Sequence, residues 1–467
     1  MRYRHDDGIS LPLSLWNLTS NSEDHLVIGG CDCVKLADEY GTPLHVVDMD
    51  RLKANYVLFE DTFRKYYPQT QIHCSYKTNP VPGVLQQLHK LGANAEVISH
   101  FELWLALQLK VGPERIIFNG PGKTRESLEM AVSRGVSLIN IDGPREGETI
   151  NEIAQKLARV QKVGLRIVTS VGWGAQFGFS IQNGAAFDFL RELKKFDNIR
   201  PCGLHLHLGT GIKDVSAYLK AIREVLDFSI LLRKNLGIQI QYLDLGGGFG
   251  VPTVKHFDST DASLELHGRA PRVPDPESFP SIDEYARRTM MLVSHYYPRS
   301  TEAPIVILEP GRALMSSSQI LLARVLELKP TGPKPTPVII DAGKNLCIPT
   351  SWEYHELIAA MSVTGEKTQN YRIYGPLCHP NDIVFGARRL PTLKRDQLLA
   401  IMDSGAYFIP NQRIFSFPRP SIIAVENGKH RIMRHRENFS DIVRLDEINS
   451  EAIDQHLTPA HTDPAIG

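Results

Sequence analysis

The sequence predicts a TIM-like (β/α)8 barrel followed by an all-β domain. Three observations carry the prediction. From about Asp48, short β-branched runs alternate with amphipathic stretches, the pattern of a parallel sheet with crossover helices. Eight such strand-helix units fall within roughly 265 residues, close to the ~250 typical of a closed barrel. After Arg312 the texture changes to short β-rich runs separated by Gly, Pro and Asn, as in Pro330-Thr331-Gly332-Pro333-Lys334-Pro335. A doubly wound open sheet is the competing reading of the alternation.

The first helix shows Leu52, Tyr56, Phe59 and Phe63 at i, i+4, i+7 and i+11, one apolar stripe that begins just after Asp48 as its cap. Candidate strands follow at 71–75, 95–97, 116–118, 138–141, 163–167, 204–207, 242–245 and 306–308. Runs at 338–341, 398–402 and 421–425 supply the second domain. Leu26-Val27-Ile28 is apolar yet precedes the first barrel helix, so the N-terminal segment is expected to lend strands to the β domain. The expected division is 1–47 for that segment, 48–313 for the barrel, 314–455 for the β domain and 456–467 for a loose tail.

A chain of 467 residues is too long for one ordinary core. Lys plus Arg and Asp plus Glu both total 52, so no net field draws it to nucleic acid or to an anionic membrane, and a small molecule is the expected partner. The charged start Met1-Arg2-Tyr3-Arg4-His5 lacks the apolar core of a signal peptide, and no apolar run has membrane-spanning length, so a cytoplasmic location is expected. Six cysteines in this length do not make a disulfide framework, and Cys31-Asp32-Cys33 lacks a second ligand pair for zinc, so no metal is expected.

Polar groups collect at the carboxyl ends of the proposed strands: Lys77, Glu96, Asn119, Asp142, Arg166, His207, Gly246-Gly247-Gly248 and Glu309-Pro310-Gly311-Arg312. In a barrel that end is the active-site face. A lysine, a carboxylate and an arginine at strand ends are the groups that pyridoxal 5'-phosphate needs for its aldehyde, ring nitrogen and phosphate. Alone, Lys77 would read as a solvated lysine; inside a barrel mouth, desolvation is expected to lower its pKa and let it form an imine. His205 and His207 are two apart and expected on one face, with His207 leading into Leu208-Gly209-Thr210-Gly211 and suited to stack on a flat ring. The glycine run offers unhindered N–H groups to a phosphate. Gly120-Pro121-Gly122-Lys123-Thr124 imitates a nucleotide loop, but that motif needs glycine where Ile117 stands, which excludes it.

The order of motifs resembles the fold-type III pyridoxal phosphate decarboxylases, the ornithine/diaminopimelate/arginine group 2 family, most closely the diaminopimelate decarboxylases. The likeness runs from about Gly29 to Arg444 through Thr42-Pro43-Leu44, Lys77, Gly203 to Gly209, Gly246 to Phe249, Glu309 to Arg312, Gly375-Pro376-Leu377-Cys378 and Asp403-Ser404-Gly405-Ala406-Tyr407. It implies an alanine-racemase-like barrel with Lys77, Glu96, Arg166, His207, Thr210, Gly247, Gly248, Glu309, Gly311, Arg312 and Tyr407 around the cofactor. Glu96 stands where relatives usually carry aspartate. Cys378 would donate the proton across a homodimer interface. Arg312, Tyr407, His379 and Asp382 would face the substrate. A carboxylate such as Glu309 at the ring nitrogen keeps it cationic and favours decarboxylation over racemisation.

Two positions depart from the resemblance on the substrate side. His379 follows the cysteine where a glutamate is expected, and Ile348 precedes Pro349 where an arginine is expected. The stretch 251–280 is also far longer than the usual βα loop of about 2–6 residues and should lie over the active face. These differences suggest the same chemistry on another substrate, such as a specialised-pathway amino acid or an acidic conjugate. A racemase and a non-catalytic cofactor-binding regulator are the alternatives.

Overall fold

The computed structural model describes residues 4–5, 8–9, 11–298, 302–329, 331–332, 334–361 and 368–447; the expected tail at 456–467 lies outside them. Eight parallel strands close into a barrel: Thr70–Ser75, Asn94–Val97, Ile116–Phe118, Leu138–Ile141, Gln161–Val168, Ile199–His205, Tyr242–Asp244 and Ile305–Leu308, the last pairing with the first. All eight runs expected from the sequence are present, with ends shifted by a few residues. One end differs in substance. The strand expected to reach His207 stops at His205, because Gly246 turns its neighbour away with φ +67° and leaves no ladder beyond.

Side-chain alternation decides what the barrel holds. Ile117, Leu138, Cys202 and Ile307 form a small separate apolar cluster from four strands. Moving two residues along a strand keeps the face and climbs one layer. Ile117 therefore leads to Asn119, Leu138 to Asn140 and Ile307 to Glu309, all buried. An apolar floor thus carries a polar layer at the carboxyl ends.

The helix expected after Asp48 spans Met49–Tyr66, and the Asp48 carboxylate accepts from the Arg51 N–H. Its stripe of Leu52, Tyr56, Phe59 and Phe63 is buried. Phe59 and Phe63 meet Phe249 at ring separations of 5.0 and 5.7 Å, and Phe249 stacks on Tyr218 at 5.4 Å. The residue directly after the glycine run is thereby anchored in the main core.

The strand Leu44–Asp48 is not part of the barrel. It lies between Gln319–Leu328, antiparallel, and Ser421–Glu426, parallel, in the centre of the second sheet. Leu26–Ile28 instead joins a small three-stranded sheet and touches the C-terminal strands through Leu26 N–H donating to the Ala360 carbonyl at 2.9 Å. Asp403 ties the parts together by accepting from Trp16 Nε1 at 2.7 Å, Ser316 Oγ at 2.9 Å and Thr253 Oγ1 at 3.0 Å. The long stretch after the seventh barrel strand is ordered: Lys255–His256 pairs with Glu353–Tyr354, and the helix Ser259–Leu266 brings Glu265 against Arg388 at 2.8 Å. Among the described residues no helix is long and apolar enough to cross a membrane.

Because Phe59 is fully buried in this aromatic cluster, Phe59→Ala is expected to cost about 3–5 kcal/mol of stability. Denaturant unfolding of the variant against the parent measures it.

Candidate active site

A cavity of about 300 Å³ opens at the carboxyl ends of the barrel strands. Lys77 follows the first strand in a single 3-10 turn, Tyr76–Thr78. Its Nζ lies 2.8 Å from Glu96 Oε2, which also accepts from Ser75 Oγ at 2.6 Å. The other Glu96 oxygen accepts from Asn119 Nδ2 at 3.1 Å, and the same amide nitrogen donates to Glu309 Oε1 at 2.5 Å. Asn140 completes the layer, donating to Asn119 Oδ1 at 2.7 Å and to Asp244 Oδ2 at 3.2 Å.

These neighbours reverse the expectation for Lys77. Burial by itself disfavours the ammonium, but Glu96, Glu309 and Tyr407 outweigh it and hold the pKa above the usual lysine range. The amine is charged and fixed, and its proton is shared with a buried carboxylate. Glu96 is correspondingly held down: burial pushes it up, while the charge and hydrogen bond of Lys77 and the donors Ser75 and Asn119 prevail. Glu309 goes the other way, raised well above the normal range by burial and then by Asp244 and Glu96. Burial beside neighbouring carboxylates therefore leaves Glu309 holding a proton in this state.

His205 and His207 both approach Glu309, at 3.7 and 3.9 Å. Burial, with nearby Arg166 and Lys77, pushes both imidazoles well down, so they are neutral. His207 Nδ1 accepts from the Gly247 N–H at 3.2 Å, which places its ring proton on Nε2. Trp173, from the loop after the fifth strand, lies 5.8 Å from the His207 ring.

Of the residues expected at the site, Lys77, His207, Thr210, Gly248, Glu309, Gly311, Arg312 and Tyr407 line the cavity. Glu96, Arg166 and Gly247 stand one layer behind. Arg166 does not reach the cavity because His205 Nε2 at 3.0 Å and the His207 carbonyl at 3.1 Å engage its guanidinium. Cys378 and His379 are exposed and do not line this chain's own cavity. Asp382 is corrected as a substrate contact: it is buried, and its two oxygens accept the N–H groups of Lys344 at 2.6 Å and Leu377 at 2.8 Å. It shapes the turn that presents Cys378. The imitation nucleotide loop is closed off as well, since Lys123 turns inward to Glu146 at 2.9 Å.

Lining residues that were not anticipated include Trp173, His256, Trp352 and Glu353. Trp352-Glu353 follows directly on the segment where the expected arginine is missing, and that proximity was the available signal. Glu353 is paired with Arg312 at 2.5 Å.

The residues present fit pyridoxal phosphate. Arg312 is 5% exposed, yet its Nε and NH1 have no protein partner, and neither does Thr78 Oγ1. Buried donors of this kind await an acceptor. At Gly248, with φ +87°, a Cβ would lie 2.2 Å from the Gly209 carbonyl, so the backbone there can approach a ligand only as glycine. Tyr407 also holds a left-handed backbone at φ +68°, with its ring 5.2 Å from the Arg312 guanidinium. Such strain costs on the order of 1–3 kcal/mol and gathers at functional sites.

Comparison with known proteins agrees with this geometry. Residues 58–316 match the pyridoxal-binding domain of the pyridoxal-dependent decarboxylases. The chain belongs to this family. It is 30% identical to the diaminopimelate decarboxylase of Methanothermobacter thermautotrophicus over 91% of its own length and 96% of that protein. The match to the enzyme of the same name from Aquifex aeolicus is also 30%, covering 90% and 95%. Among solved structures, diaminopimelate decarboxylase of M. jannaschii superposes with a TM-score of 0.83 at 27% identity, covering 95% of this chain and all of that one. The protein is a pyridoxal phosphate-dependent amino-acid carboxy-lyase with a TIM-like barrel and an added β-rich region.

Burial pushes Asp244 up to about 7, the carboxylate of Glu96 adding to it against the bonds from Glu309 and Gly246. Between the ordinary aspartate pKa near 4 and about 7, the folded cofactor-free protein holds a proton that the unfolded chain has released, so stability falls as pH rises through that window. Urea midpoints of apoprotein at both ends of the window are expected to show this fall, and Asp244→Asn is expected to shrink it.

Proposed function

We propose that this protein decarboxylates an α-amino acid other than diaminopimelate, within a pocket whose cofactor side is retained and whose substrate side is rebuilt. The observation that carries the reading is the Arg312–Glu353 pair. The guanidinium at the mouth of the cavity is already matched by a buried carboxylate of this chain at 2.5 Å. Ile348 and His379 stand where an arginine and a glutamate were expected. A specialised-pathway amino acid fits these changes better than diaminopimelate does.

When bound, pyridoxal phosphate supplies an electron sink for the bond that breaks at Cα. Lys77 is the amine that would hold its aldehyde carbon, kept in place by Glu96. Glu309 is the buried carboxyl that would share a proton with the ring nitrogen, whose positive charge would offset the burial and the neighbouring carboxylates that raise the Glu309 pKa. His207 offers a neutral ring face. Gly248, Gly311, Thr210 and Arg312 would hold the phosphate. Glu309 supports decarboxylation over racemisation, because a cationic ring nitrogen is the stronger sink.

Carbon dioxide release from an α-amino acid panel tests the reading. Diaminopimelate is expected to turn over at least about tenfold more slowly than the best substrate, a difference that a single mismatched polar contact can produce. Equal or faster turnover of diaminopimelate would overturn the altered-substrate reading, and retained carboxylate with inverted Cα would favour racemisation.

We also propose that the working unit is a homodimer in which Cys378 of one chain serves the cavity of the other. The exposed thiol, which does not line its own chain's cavity, supports it. Mixing Lys77→Ala with Cys378→Ala protein under subunit exchange is expected to recover about a quarter of parental activity, since half of random dimers carry one intact site. No recovery in verified mixed dimers would assign the thiol to its own chain's cavity, and parental activity of Cys378→Ala alone would place it outside the reaction.

A further inference from the structure

The guanidinium of Arg312 is held at one nitrogen and open at two. Its NH2 donates to Glu353 Oε1 at 2.5 Å, while Nε and NH1 have no protein partner. An acceptor in the cavity therefore meets Nε and NH1 in the orientation that Glu353 sets. The arrangement also has a cost. A buried carboxylate beside the arginine neutralises the pair as a whole and repels an entering anion.

His355 stands where it can offset that cost. Residues two apart on an extended segment share a face. Glu353 and His355 accordingly come together, while Tyr354 between them turns away and donates to Glu356 Oε2 at 2.8 Å. His355 is wholly buried and does not line the cavity. Its Nδ1 lies 3.0 Å from the Met402 carbonyl, which can only accept, so Nδ1 carries a proton. Its Nε2 lies 3.4 Å from Glu353 Oε2, and neither atom has a hydrogen-bond partner. With a bare Nε2, two lone pairs would face each other in a buried place; a second ring proton turns the contact into an ion pair. Burial opposes the charge of Glu353, but Arg312, His355 and then His256 hold its carboxyl down to about 2, so it is ionised. Asp403 is the other acid acting with His355, and its oxygens are taken up by Trp16, Ser316 and Thr253. Glu353 thus lies between two cations, and less of its charge is felt at Nε and NH1 of Arg312.

Resting on the assignment of Arg312 to the cofactor phosphate above, we propose that Glu353 and His355 are positioning residues for that contact. Glu353 fixes the guanidinium by NH2 and leaves Nε and NH1 for the phosphate. His355, sealed behind it, acts through Glu353 by offsetting the negative charge that the carboxylate brings.

The test titrates pyridoxal phosphate and pyridoxal, which lacks the phosphate, into the full-length apoprotein and follows visible absorbance. His355→Leu is expected to weaken pyridoxal phosphate about tenfold while pyridoxal stays within about twofold of the parent. His355→Gln, which keeps a donor toward Glu353, is expected to show the same split at smaller amplitude, and it carries the comparison if His355→Leu does not fold. Glu353→Ala is expected to weaken pyridoxal phosphate selectively too, and Glu353→Gln, which keeps an acceptor for Arg312, to restore most of the loss. In the Glu353→Gln background, where no charge remains to offset, His355→Leu is expected to cost nothing further. Equal losses for the two ligands, parental pyridoxal phosphate affinity in the folded His355 variants or in Glu353→Ala, or a His355→Leu loss that persists in the Glu353→Gln background would overturn the proposal. Arg312→Met is scored separately: parental pyridoxal phosphate affinity in that variant defeats the phosphate assignment itself.

Discussion

A buried chain of hydrogen bonds from Lys77 through Glu96 and Asn119 to Glu309 is the constraint on which the site depends. Each member comes from a different barrel strand end, so the geometry exists only when the barrel is closed. Buried charges of this kind are costly unless matched, and removing one partner leaves the other stranded. Glu96 helps to hold Lys77 as an ammonium, while burial, with Asp244 and Glu96, drives a proton onto Glu309. The polar layer is therefore balanced as a unit.

Much of this was legible in the sequence for a simple reason. Barrel strands are buried on both faces and read as short apolar runs, and catalytic groups follow them at the carboxyl ends. Lys77 and Glu309 were found by position alone. The protonation of Lys77 was not, because it depends on Glu96 and Glu309, which are distant in the chain and adjacent only in space. Asp382 misled in the opposite way: a carboxylate near the expected proton donor looks like a ligand contact, yet two backbone N–H groups consume it.

The cavity wall supplied from outside the barrel was the least legible part. His256 and Glu353 reach the cavity through a two-residue pairing between a long inserted stretch and a loop of the second sheet system. No periodicity announces such a contact, since each partner is a brief irregular segment. What the sequence did show was Ile348 where an arginine was expected, and Trp352 and Glu353, a few residues further on, line the cavity.

The place of Leu44–Asp48 has a consequence for how the protein is made. This strand leaves the ribosome before any part of the barrel, yet its two neighbours are Gln319–Leu328 and Ser421–Glu426. Its wholly buried residues must wait through most of translation for the partners that cover them. Ribosome-bound chains halted before residue 421 carry an unpaired sheet edge of apolar side chains, the kind of surface that chaperones hold and that aggregates without them.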